Sequence, residues 1–202
     1  MQKRMGENIT LEWERDPYPD LVWDALQLIK VDPEGGMSAL LDLGAQGSSL
    51  ALMYAGHRHR DGMNNVPKNE EAAISLLRQS FDLGSIEGGY LLGNMQMANG
   101  HLKDGLDTYH RLSDLGYLPA MYAMGYHYVF GDPSIRNNDK GEEIFKRSAR
   151  RGHFWARREL ANLMIRRKTI HGFLNGWIMK FALIILFANF RINYPNSDRL
   201  RT

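Results

Sequence analysis

The 202-residue chain contains no cysteine. That absence excludes a disulfide framework, a cysteine-ligated zinc and a thiol nucleophile, and it fits a reducing compartment. An excess of one charge is also missing. The net charge of +2 singles out no class of partner. Behind Lys3 and Arg4 there is no apolar run, so no secretory signal peptide is expected and the chain is read as cytoplasmic. No glycine-rich phosphate loop and no nucleophile elbow occur, and nothing alternates in the manner of a strand.

What is present is an ordinary globular composition, 44% hydrophobic and 24% charged, which argues against wholesale disorder. Its length suits one compact unit or a short solenoid. The charges are unevenly placed. Glu7 to Asp20 holds five acids and one Arg, whereas Arg136 to Lys168 holds eleven Lys or Arg against four acids. The basic third directly precedes the most hydrophobic stretch of the chain.

Self-similarity is the dominant feature. Four segments end on glycine: Leu41-Asp42-Leu43-Gly44, Phe81-Asp82-Leu83-Gly84, Ser113-Asp114-Leu115-Gly116 and Ala149-Arg150-Arg151-Gly152, at spacings of 40, 32 and 36 residues. Each glycine lies between two stretches of helical apolar spacing, which predicts a helix C-terminus with glycine in the left-handed conformation. Four residues on stands a small residue (Ser48, Gly88, Ala120, Ala156). Eight on stands a large apolar one (Leu52, Leu92, Met124, Leu160), followed by Met53, Gly93, Gly125 or Ala161. Small residues a turn apart admit a neighbouring helix, and the large residue fills the gap. Helices are predicted near Leu21–Lys30, Gly36–Leu43, Ser48–Arg58, Glu70–Leu83, Glu87–Ala98, Lys103–Leu115, Pro119–Phe130, Lys140–Arg151 and Phe154–Arg167.

This order of residues resembles the Sel-one-like repeat, a relative of the tetratricopeptide repeat. The fullest copy is Gly116, Ala120, Met124-Gly125, Tyr128, Gly131, Asp139-Lys140, Phe145, Ser148-Ala149 and Gly152. The second keeps Gly84, Gly88, Leu92-Gly93 and Gly100 but has Gln96 for the usual aromatic. In the first, Gly56 stands at the aromatic position and His59 where a glycine belongs. The resemblance covers Met37 to Arg167. It implies an all-α fold, a right-handed α-solenoid of antiparallel helix pairs, and a non-catalytic adaptor or scaffold without cofactor. Some similar bacterial proteins accompany surface-polysaccharide production. The expected organisation is an N-terminal helix and cap at 1–35, repeats at 36–168, a hydrophobic helix at 169–190 and an irregular tail at 191–202.

If the tetratricopeptide convention transfers, the first helix of each pair presents a concave row that binds another protein or peptide. That row comprises Tyr54, His57 and Arg58; Glu87, Tyr90, Asn94 and Met97; Tyr122, Tyr126 and Val129; and Arg158 and Asn162. Tyrosine supplies contact area at low entropic cost, and Asn or Arg can hold a peptide backbone or carboxylate. The same tyrosines could instead fill gaps between helix pairs.

Two alternatives involve chemistry or nucleic acid. His57-Arg58-His59-Arg60-Asp61 supplies imidazoles and a carboxylate for a metal-dependent module, but an i, i+2 pair diverges on a helix and the arginines repel a cation, so no metal is expected. Gly47-Ser48-Ser49 reads as a helix cap rather than a serine nucleophile. The cluster Lys146, Arg147, Arg150, Arg151, Arg157, Arg158, Arg166, Arg167 and Lys168 could hold nucleic-acid phosphates, form a solvated face or meet anionic lipid, the last ranking first and nucleic acid last.

Gly172 to Phe190 approaches the length of about 20 residues needed to span a bilayer. Lys180 lies near its middle, at a cost of about 2.5–3.5 kcal/mol for insertion. An interfacial helix would instead bury Phe173, Trp177, Phe181, Ile184 and Phe187 in the headgroup boundary while Lys180 snorkels. A soluble helix capping the last repeat is the third possibility. Membrane contact at a cytoplasmic face is the expectation.

Overall fold

The computed structural model describes residues 7–166, 170–193 and 197–201. Their regular elements are α1 (Glu7–Arg15), α2 (Pro19–Leu28), α3 (Pro33–Ala45), α4 (Ser49–Asp61), α5 (Glu70–Asp82), α6 (Ile86–Ala98), α7 (Leu102–Asp114), α8 (Leu118–Phe130), α9 (Asn138–Arg150), α10 (Phe154–Arg166) and α11 (Ile170–Asn193), with 3-10 turns at Met63–Asn65 and Asp198–Leu200. No strand occurs among the described residues. Every helix expected from the sequence has its counterpart. The helices from α3 to α10 are each 13 residues long, about 20 Å of rod apiece.

Local chemistry fixes the helix starts. Asp32, Ser48, Asn69, Ser85 and Asn137 each accept a hydrogen bond from the backbone N–H three residues on, which satisfies a donor that the helix leaves open. Helix α1 was not among the helices expected, because nine residues with three apolar side chains, Ile9, Leu11 and Trp13, are too short a pattern to register a helical stripe.

The chain divides within α7 into two compact units, Asn8–Thr108 and one built on Tyr109–Thr202. In the first, α2 to α6 pack each against the next in sequence. The start of α7 returns onto α6, where Thr108 Oγ1 donates to Gln96 Oε1 at 2.7 Å. Leu40, Leu50 and Leu77 are fully enclosed there. In the second unit α8 packs on α9, α9 on α10 and α10 on α11, around a core of Tyr122, Val129, Phe145, Ala149 and Ala156.

The repeat register requires one correction. Gly44 lies inside α3, and the left-handed residue of the first copy is Gly47 at φ +99°, matching Gly84, Gly116 and Gly152 at +98°, +89° and +96°. With Gly47 as origin, the small residues four and nine positions on are Ala51 and Gly56, aligned with Gly88 and Gly93, Ala120 and Gly125, and Ala156 and Ala161. Gly56 therefore occupies the close-packing position, where a Cβ would lie 2.8 Å from Leu77 Cγ, just as one at Gly125 would lie 2.9 Å from the Phe145 ring. Gly62, at φ +67°, ends α4 in the place first assigned to His59.

The chain after position 190 also differs from an irregular tail. Helix α11 continues to Asn193, and Ser197 and Asp198 are buried, with the following turn packed against α8 and α10. Arg167, Lys168 and residues 194–196 lie outside the described residues.

Candidate functional site

In the first unit, α1 lies against the N-terminal ends of α4 and α6. Ser48 Oγ donates to both Asp16 carboxylate oxygens at 3.0 and 2.9 Å, and Leu50 N–H donates to Asp16 Oδ2 at 3.1 Å. One turn earlier, Glu12 accepts from Ser85 Oγ at 2.7 Å and from Glu87 N–H at 2.9 Å. The i, i+4 spacing places two carboxylates on one helix face, each set on the positive end of a successive repeat helix. Burial, with Glu87 adding a smaller repulsion, raises the Glu12 pKa to about 7. Between the two acids, Trp13 Nε1–H donates to Tyr54 Oη at 3.2 Å.

These contacts alter the expected row. Tyr54 is held by α1, and burial raises its phenol pKa. Glu87, Tyr90 and Met97 are buried rather than outward-facing, and Asn94 is partly buried. Nothing in the sequence signalled Glu12, Trp13 or Asp16 except the pairing of two acids one turn apart with two seryl caps that each follow a glycine.

In the second unit Tyr122 is also buried, stacked on His153 at 5.0 Å and packed on Phe145. Burial, reinforced by Glu159, pushes its phenol up to about 12. Arg158 and Asn162 are turned onto Glu159. Arg158 donates to Oε1 at 2.9 and 2.6 Å, Asn162 Nδ2 donates to Oε2 at 2.9 Å, and the guanidinium also covers the Trp155 ring at 4.4 Å. Val129 is in the core. Tyr126, 44% exposed, is the member of the row that presents an aromatic ring to solvent.

The end of the chain closes over the start of α10. Trp155 Nε1–H donates to Leu200 O at 2.6 Å, His153 Nε2 lies 2.8 Å from Arg201 O, and the Arg201 guanidinium lies over Tyr117. His153 is fully enclosed, and burial lowers its pKa to about 4.

Helix α11 lies along α10. Gly176 permits the approach, since a Cβ there would stand 2.8 Å from Ala161 O, and Leu183 is buried in the seam. Phe187 also turns inward, onto Phe154 at 4.6 Å, and so is not on the exposed face where it was expected. Trp177, Phe181 and Ile184 are exposed, with Phe181 at 72% and Ile184 at 68%. Lys180 Nζ lies over the Trp177 ring at 5.4 Å. Among the described residues one helix is long and apolar enough to cross a membrane, at His171–Asn189 with mean hydropathy 1.5, and only 11% of that window is buried.

The histidines of α4 diverge. His57 Nε2 pairs with Asp61 Oδ2 at 3.2 Å, whereas His59 Nδ1 lies 3.1 Å from Pro67 O. Among the described residues no three potential ligands converge on a metal position. A cleft of about 590 Å³ beside α8, α9 and α10 sets Arg136 and Arg166 against Asp139 and Glu142, charges that offset one another. From the basic cluster, Lys146, Arg150 and Arg157 line a groove beside α11.

The Sel1 repeat family matches residues 49–85 and 118–153. Both matches start two residues after a left-handed glycine, Gly47 or Gly116, in agreement with the corrected register. No curated protein matches the chain. Among solved structures, the fold is similar to that of a protective antigen present in uropathogenic Escherichia coli strains, described as displaying an SLR fold. That comparison has a TM-score of 0.62 and 16% identity over 81% of this chain and 38% of the antigen. It is also similar to a Sel1 repeat protein from Oxalobacter formigenes, with a TM-score of 0.54 and 18% identity over 66% of this chain and 56% of that one. The chain thus spans less than two thirds of either neighbour. Proteins of this repeat class are generally protein-interaction scaffolds and typically non-catalytic. The chain thus carries Sel1 repeats at residues 49–85 and 118–153, on an all-helical architecture similar to that of these SLR-fold structures.

Proposed function

We propose that this chain is a non-catalytic interaction scaffold whose C-terminal helix holds it on a membrane surface. The observation that carries the reading is the exposed apolar face of α11, with Phe173, Trp177, Ile178, Phe181, Ile184 and Ile185 each at least half exposed. An unburied aromatic and aliphatic face of this extent favours contact with lipid or protein. Its packing favours lying on the bilayer over crossing it. Helix α10 runs along α11 and carries Arg157, Arg158, Glu159 and Arg166, so a spanning α11 would draw those charges toward hydrocarbon. Lying flat, α11 buries its ring face while Lys180 reaches the headgroups.

The partner side of the scaffold rests on the repeat family. In the second unit, Tyr126 from α8 together with Arg158 and Asn162 from α10 is the portion of the expected row that a protein ligand could reach, the two polar groups being already ordered by Glu159. In the first unit, α1 would have to leave before Tyr54 became available. Service to a polysaccharide-producing assembly belongs to the same reading, as one kind of membrane-bound client.

Flotation with vesicles tests the membrane half and affinity capture the partner half. The wild-type chain is expected to float with vesicles, and Phe181→Glu with Ile184→Glu to remain at the bottom of the gradient with unchanged helical circular dichroism. Partners captured by wild type and lost from Tyr126→Ala would locate the row. A wild-type chain that never floats overturns the membrane half.

A further inference from the structure

We propose that the groove between α9, α10 and α11 is a binding site for one anionic phospholipid, an assignment that rests on the membrane reading above. The groove encloses about 360 Å³. Its lining contains three cations, Lys146 and Arg150 from α9 and Arg157 from α10, and no carboxylate. Its other walls are apolar, among them Leu160 from α10 and Met179, Leu183 and Leu186 from α11. Cations at the rim and hydrocarbon within are the two halves of a phospholipid's own chemistry, a phosphate joined to an acyl chain.

The cations are placed by the fold. Lys146 and Arg150 are one turn apart on α9, and so share a face. Arg157 Nε–H donates to Ala149 O at 3.2 Å, which fixes its side chain beside that face. Lys146 Nζ pairs with Glu142 at 2.8 Å while the lysine side chain stays half exposed, so its ammonium, with three N–H donors, can also meet an anion from the groove. Leu183, buried in the α10–α11 seam, forms the floor. A free phosphate would leave that apolar floor in water, and a nucleic-acid strand would find no aromatic ring in the lining on which to stack a base. On the other side of α11, Arg158 and Lys180 edge a second apolar groove of about 380 Å³ with Trp155 and Trp177, ring types suited to the headgroup level. Both sides of α11 therefore offer cations above apolar walls, the arrangement of a helix lying in an anionic leaflet.

The test uses the full chain with vesicles of phosphatidylcholine alone or mixed with phosphatidylglycerol. Binding to the mixed vesicles should exceed binding to neutral ones by at least tenfold and fall steeply with added salt. The variant Lys146→Gln, Arg150→Gln, Arg157→Gln should lose roughly a hundredfold of the affinity for mixed vesicles and little of the affinity for neutral ones, at about fivefold per cation. A control that removes the same charge from the first unit, Lys30→Gln, Arg78→Gln, Lys103→Gln, should stay near wild type. Circular dichroism checks that each variant is folded, and the salt dependence of the wild type reads the same attraction without a variant. Equal binding to neutral and mixed vesicles would leave the membrane reading intact and overturn the site. Equal losses in the two triple variants would reduce the attraction to diffuse charge and overturn it too. Binding of a single-stranded oligonucleotide in place of vesicles, lost in the groove variant, would assign these cations to nucleic acid. No binding to either vesicle would overturn both the site and the membrane reading.

Discussion

At the scale of single residues, two kinds of position govern the fold. The first is the left-handed glycine before each first helix. At Gly47 a Cβ would meet nothing within 4 Å, yet φ is +99°, so the cost of a side chain there lies in the backbone alone. Gly125 is the opposite case, helical in backbone but pressed against Phe145 and Ile144. Gly47→Ala should therefore cost about 1 kcal/mol, and Gly125→Leu about 1–3 kcal/mol or more, by urea unfolding. Equal tolerance of leucine at Gly125 would contradict the packing described. The second kind is the buried carboxylate. Glu12 has a raised pKa, so its contribution is full below about pH 4.5 and is lost as pH rises through about 7. Glu12→Gln retains an acceptor for the Glu87 N–H and removes the charge. It should raise stability at pH 8 by about 1–2 kcal/mol and change it little at pH 5, which denaturant melts at the two pH values would check.

At the scale of helices, α11 is the element whose environment decides the biology. It is 24 residues long, about 36 Å, sufficient to span a bilayer by length. Its packing on α10 and its central Lys180 favour the interface. Lys180→Leu separates the two placements. On insertion scales a spanning helix would gain about 2.5–3.5 kcal/mol, whereas a helix lying flat with a snorkelling Lys would gain little and lose attraction to anionic headgroups. We expect vesicle affinity within about fivefold of wild type, measured by sedimentation, and no protection of residues beyond α11 from external protease. A gain of a hundredfold with such protection would mean that α11 spans. Helix α1 teaches a different lesson. It is held by Glu12 and by Asp16 just beyond it, each on a helix N-terminus, and by Trp13, which donates to Tyr54 and packs its ring on Tyr54 and Trp23.

At the scale of the whole molecule, the two units each carry one terminal segment under opposite pH control. In the second unit His153 has a lowered pKa, so the stability it contributes is full above about pH 6.5 and is lost as pH falls through about 4. Protonation would set a buried imidazolium beneath the 197–201 segment. In the first unit Glu12 acts in the reverse sense. The indole N–H resonances of Trp155 and Trp13 give separate reports. Trp155 should move toward its solvent-exposed position as pH falls from 6.5 to 4, and Trp13 as pH rises from about 5 to 8. Coincident movement of the two would contradict this assignment.

The sequence alone determined the repeats, the helix pairs and the likeness to Sel1 repeats, because apolar periodicity, seryl and asparaginyl caps and small residues at fixed offsets are local signals. It also marked the basic third and the apolar α11. It misplaced one glycine by three residues, since Gly44 and Gly47 both follow apolar helix-like stretches and only the backbone φ separates them. The tertiary structure alone decided which row residues face solvent. Tyr90, Met97 and Tyr122 have the same composition signal whether buried or exposed, and their burial depends on what packs over them. It also brought Glu12 and Asp16 to the helix ends at Ser85 and Ser48, 73 and 32 residues away, and gathered Lys146, Arg150 and Arg157 around one groove beside α11. Such juxtapositions arise from packing between distant segments, for which no local spacing rule exists.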